Sequence, residues 1–158
     1  MSRVAIVAIC LAVVLLLAGG CGQRRVHKIR GTAALLEPQI SRLRRSSEQA
    51  FLVVRVAGTK DFIRLMAAPE LAAPDFGVQI GFPLITERQL AMEPKIRQAA
   101  GEMQLVFHET RGSNGGRFLD CDFTGGAREI AGACRQLLVH VYGISDAAPL
   151  SFETDASM

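Results

Sequence analysis

Two aspartates separated by a single residue, Asp120 and Asp122, offer the most chemistry in this chain. Residues two apart in an extended strand share a face, so both carboxylates point the same way, close enough to hold a cation or share a proton. His108 joins them if their strand pairs with the one before it. That trio would suit a small hydrolase or a metal-binding enzyme. Solvated charges are also what a strand with one apolar face carries on its other face. His108 opposite Asp120 is then a cross-strand contact worth less than about 1 kcal/mol. This second reading carries more weight, because the specific signatures of catalysis are absent. There is no Cys-x-x-Cys, His-x-x-x-His or Gly-x-Ser-x-Gly, and Gly112-Ser113-Asn114-Gly115-Gly116 lacks the Lys and the following helix of a phosphate loop. His140 falls off the apolar stripe of its helix, and His27 lies in a polar N-terminal stretch. The residues imply no cofactor and no metal.

Two further groups stand out. Cys121 and Cys134 both point inward by period, one on a strand and one on the helix after it. They form either a disulfide, worth about 3 kcal/mol for a loop of this length and requiring Cα atoms within about 7 Å, or a pair of packed thiols. Gly77, Gln79 and Gly81 leave one face of a strand nearly bare. Such a face admits a partner or ligand at close range; alternatively it is a sheet face thinly covered by its neighbours, or a bulge.

These residues need a scaffold. Leu36, Ile40 and Leu43 recur with helical spacing, predicting an amphipathic helix over about 34–48 with Pro38 in its first turn. Phe51–Val56 and Phe62–Met66 read as a hairpin around Ala57–Asp61, followed by a loop from Ala67 to Asp75. In the third strand Val78, Ile80, Phe82 and Leu84 alternate with Gly77, Gln79, Gly81 and Pro83. Thr86 and Gln89 make a capping box. The helix they open carries Met92, Ile96 and Ala99 inward, is kinked or split by Pro94, and is expected to end at Gly101. Leu105 and Phe107 then face Leu119, Cys121 and Phe123 across a hairpin. Inner residues are all odd-numbered, so the loop must hold an odd count, and Ser113-Asn114-Gly115 supplies three with Gly115 left-handed. That register sets Phe107 against Cys121 and His108 against Asp120. A last helix over about 126–142 presents Ile130, Cys134, Leu137 and Val141 inward and stops at Gly143. The expected fold is α+β and two-layered: a five-stranded antiparallel sheet with helices on one face, in the order α-βββ-α-ββ-α. It occupies residues 34–144, with a basic tether over 21–33 and a flexible C-terminal tail over 145–158.

The chain has 158 residues, 49% of them hydrophobic and 21% charged, with a formal charge of +3. That length suits one domain. The apolar share excludes a disordered chain. The basic excess is small, sits mainly before the domain and has no interleaved aromatics, which argues against nucleic acid. Residues 1–20 are laid out as a signal peptide: Arg3, then the uncharged run Val4–Leu17, then small residues. The run is shorter than the about 20 residues of a spanning helix. Leu17-Ala18-Gly19-Gly20-Cys21 resembles the lipobox of bacterial lipoproteins, with Ala18 where that family prefers Leu. The resemblance implies cleavage before Cys21, lipidation of Cys21, and, with Gly22 rather than Asp following, the outer membrane facing the periplasm. Two or three acyl chains are what stable anchoring requires. The competing assignment keeps the segment as an uncleaved anchor, and Arg24, Arg25, Lys28 and Arg30 would then hold the domain in the cytoplasm.

The element order over about 34–144 resembles the type III secretion chaperone-like superfamily of small α+β domains. It does so through Phe51–Val56, Phe62–Met66 and Gly77–Leu84, the helix opening at Thr86, and the closing helix ending Val141-Tyr142-Gly143-Ile144. The resemblance implies a non-catalytic domain that holds a protein segment, in some cases as a homodimer. The expectation is a lipid-anchored envelope protein binding a protein or envelope partner through the Gly77, Gln79 and Gly81 face. The alternative is the small hydrolase or metal-binding protein using Asp120, Asp122 and His108.

Overall fold

The computed structural model describes residues 26–46, 50–68, 77–112 and 115–155. Its elements run β1 (Val26–Gly31), a 3-10 turn (Ala33–Leu35), α1 (Leu36–Leu43), β2 (Phe51–Val56), β3 (Phe62–Ala67), β4 (Gly77–Leu84), α2 (Glu87–Ala91), α3 (Glu93–Glu102), β5 (Phe107–Arg111), β6 (Arg117–Thr124), α4 (Ala127–Tyr142) and β7 (Leu150–Asp155). The fold is α+β with an antiparallel sheet, as expected. The sheet has seven strands, in the order β1-β7-β2-β3-β4-β6-β5, where five were expected.

Both additional strands come from segments read as tether and tail. Residues 26–31 pair along their whole length with 150–155, and β7 pairs on its other side with β2. The tail is therefore sheet interior: Leu150 and Phe152 alternate inward and are fully buried against the core. β1 is an edge strand with one inward aliphatic, Ile29. Its strand character comes from pairing with β7, since so basic a sequence has little strand preference of its own. The expected leader over 1–20, Cys21 and residues 22–25, 47–49, 69–76, 113–114 and 156–158 lie outside the described residues. Among the described residues no helix is long and apolar enough to cross a membrane.

Alternation decides the core. Leu52, Val54, Ile63, Leu65, Val78, Ile80, Phe82, Leu119 and Phe152 point to one side, where Leu36, Ile40 and Leu43 of α1, Ile96 of α3 and Ile130, Cys134, Leu137 and Val141 of α4 meet them. Each such side chain contributes roughly 1.5–3 kcal/mol on burial. Local signals hold closely at several points. Thr86 and Gln89 form the reciprocal capping box. Pro94 starts a separate helix, splitting the expected one at Met92. Gly143 closes α4 in the left-handed conformation, and Gly115 has φ of 78° in the β5–β6 loop. Phe107 pairs with Cys121 and His108 with Asp120. Gly101, by contrast, lies inside α3, and the left-handed residue beyond that helix is Gln104.

Candidate functional site

The helices α1, α3 and α4 share the inner core, so the opposite face of the sheet carries no described helix. Its residues line up in register. One row crosses all seven strands: Lys28, Glu153, Val53, Arg64, Gly81, Asp120 and His108. Phe51, Val53, Phe62 and Met66 on this side are half-buried. The outer face is thus neither apolar nor simply wet. It is a mixture of rings, aliphatics and paired charges.

Asp120 lies on β6, one strand in from the β5 edge, and is 0% exposed. Its carboxylate accepts from Arg64 Nη2 at 3.2 and 3.3 Å and from the Thr110 hydroxyl. The Arg64 guanidinium carbon sits over the Phe118 ring, 4.0 Å from its centroid, and its buried Nε has no hydrogen-bond partner. Room for this carboxylate is made by Gly81, the residue opposite it on β4. A Cβ there would run into Asp120 Oδ1. The bare position read from the sequence is real, but the same chain fills it. Gly77 is buried too, while Gln79 is half-exposed and donates from Nε2 to Asp122 at 3.4 Å.

The trio Asp120, Asp122 and His108 is therefore divided. Asp120 is sealed in an ion pair, whereas Asp122 and His108 stand in solvent. The expectation of solvated charge fails for Asp120, because Arg64 and Phe118 close over it. A carboxylate already holding a guanidinium and a hydroxyl is poorly placed to take a substrate proton. Among the described residues no group of three His, Cys, Asp or Glu side chains could hold a metal. Cys121 and Cys134 are buried free thiols. Burial, followed by Asp122 and Asp120, pushes the Cys121 thiol up to about 12. Burial and then Cys121 raise Cys134 further. Both are protonated at neutral pH and unreactive as nucleophiles.

A second buried carboxylate escaped the sequence reading. Asp61, 2% exposed at the end of the β2–β3 turn, accepts from Arg88 Nε at 3.1 Å and Nη2 at 2.7 Å. Gln89 Nε2 donates to the Lys60 carbonyl, and the Tyr142 hydroxyl donates to the Phe62 carbonyl at 2.9 Å. Burial, and then Asp61, hold the Tyr142 phenol above its ordinary range. The cluster clamps this turn to the start of α2 and the end of α4. Its only signal in the sequence is an Asp where a strand resumes. Arg64 was equally detectable, as a lone charge inside Phe62–Met66. Comparison with protein-family models, with curated proteins and with solved structures finds no match to this chain.

Proposed function

We propose that the protein is a non-catalytic bacterial lipoprotein, lipidated at Cys21 and held at the outer membrane facing the periplasm, that binds a protein or envelope partner on its open sheet face. The observation behind this reading is the outer face itself. Half-exposed Phe51, Val53, Phe62 and Met66 lie on a sheet whose described helices all occupy the other side. Aromatic and Met side chains among Arg residues are the composition enriched in protein interfaces. The lipobox-like run ending at Cys21 supplies the anchor, and β1 begins at Val26, so lipid and sheet are joined by a few residues. The chaperone-like resemblance fits a domain that holds rather than converts its ligand.

Intact mass of the protein purified from its native membranes tests the anchor. The expected species starts at Cys21 and carries added acyl mass, and Cys21→Ser abolishes both. A chain beginning at Met1 without lipid overturns the anchor. The same spectrum should show Cys121 and Cys134 as two thiols, without the two-hydrogen loss of a disulfide. For the face, Met66→Glu should abolish partner crosslinking from a photoreactive residue at Val53 while the melting temperature stays within a few degrees. Unchanged crosslinking refutes partner binding there.

A further inference from the structure

The outer face has a second feature at its β1 end. A cleft of about 400 Å3 opens between β1, β7 and the β2–β3 turn. Its lining includes Lys28, Arg30, Arg55, Gly58 and Ser151. The register explains why these residues converge. Arg30 of β1 and Arg55 of β2 both pair with Ser151 of β7, one from each side. Strands lie about 4.8 Å apart, so the two Arg backbones are about 10 Å apart with the Ser151 hydroxyl between them. That gap suits a tetrahedral oxyanion reached by a guanidinium on either side.

Charge is out of balance here. Lys28 is paired with Glu153 at 3.0 Å, and the same carboxylate is the acid nearest Arg55, at 3.6 Å. Among the described residues Arg30 is exposed and has no acidic partner. Lys28 and Arg55 therefore share one acid, and Arg30 adds a third cation beside them. Arg55 is already oriented, with its guanidinium 4.8 Å from the Phe62 ring centroid. The wall is small as well: Gly58 and Ala57 form the turn, and nothing lies within 4 Å of where a Gly58 Cβ would stand. Guanidinium groups bind phosphate oxygens through two parallel N–H donors, a geometry Lys cannot supply.

We infer that this cleft is a binding site for a phosphate-class oxyanion, held between Arg30 and Arg55 over Ser151, with Lys28 at its rim. The site does not depend on the lipid anchor or on the partner reading above. Glu153 acts as an internal competitor that a bound anion displaces electrostatically from Arg55.

The full chain in non-ionic detergent micelles is titrated with inorganic phosphate by calorimetry at low salt. Saturable one-site binding is expected, weakened at least tenfold in Arg30→Ala and tightened severalfold in Glu153→Gln. Arg30→Lys keeps the charge but loses the fork, and should recover only part of the affinity. Because Arg30 is exposed, its variants should melt with the parent protein. A parallel arm repeats the titration with water-soluble short-chain phosphatidylglycerol, and with short-chain phosphatidylcholine as the zwitterionic control. Phosphate binding that depends on Arg30 identifies a free oxyanion site. Arg30-dependent binding of the short-chain phosphatidylglycerol without binding of inorganic phosphate identifies the anionic lipid headgroup as the source. Absence of both, or binding indifferent to both Arg30→Ala and Arg55→Ala, overturns the inference.

Discussion

Arg64 and Arg55 occupy the same face of one sheet and are built alike, yet their surroundings make them opposites. Each lies on an aromatic ring, at 4.0 and 4.8 Å, and each has a carboxylate nearby, at 3.2 and 3.6 Å. Arg64 faces a carboxylate with no exposure, sunk into the gap left by Gly81. Arg55 shares a partly exposed Glu153 with Lys28 and borders an open cleft. The difference lies in desolvation. A charge sealed from water must be matched, and the matched pair then belongs to the fold. A pair still wet can exchange its partner for a ligand.

Breaking the sealed pair should have the largest effect. Asp120→Ala leaves Arg64 without its partner among buried groups, a loss of about 3–5 kcal/mol. Urea unfolding measures it, and a change below 1 kcal/mol on that scale would mean the pair is not sealed. The double variant Arg64→Met with Asp120→Ala should recover much of the loss, since two apolar side chains need no match. Next comes Gly81→Val. Its side chain must displace Asp120 Oδ1, and overpacking of this kind costs about 1–3 kcal/mol. Thermal melting reads the drop.

The wet pair should matter least. Burial alone would raise the Glu153 carboxyl, but hydrogen bonds from Lys28 and Arg55 outweigh it and hold the group below the ordinary carboxylate range. A depressed folded-state value means that its contribution is complete above the unfolded-chain value, about pH 4.3, and fades as pH falls through the folded value. Urea midpoints should show Glu153→Gln destabilised by less than about 1 kcal/mol at pH 7, with the gap to the parent protein closing on acidification. A gap that widens in acid would contradict this assignment.

What could be read from the residues followed how local the cause was. The Thr86 and Gln89 cap, the Pro94 break, the Gly143 stop and the parity argument that pairs His108 with Asp120 all rest on neighbours within a few residues, and all appear in the structure. β1 and β7 were missed because each gains strand character from the other. Ile29 as the one inward aliphatic of β1, and Leu150 with Phe152 in β7, are too few to announce a period. Asp120 was placed on the correct face but assigned water. Parity gives a direction, whereas burial depends on whether Arg64 and Phe118, distant in sequence, cover that direction. The emptiness at Gly81 was legible; its occupant was not.

One topological fact has a consequence in time. β7 is inserted between β1 and β2, and among the described strands it is the sole neighbour of β1. Lys28 and Glu153, joined across that seam, are 125 residues apart in sequence. A growing polypeptide therefore leaves β1 without this partner until β7 has been made, and contacts of such long range form slowly. Removal of β7 would leave two orphaned rims, one on β1 and one on β2. Such rims are adhesive backbone, prone to pair with other chains and open to proteolysis.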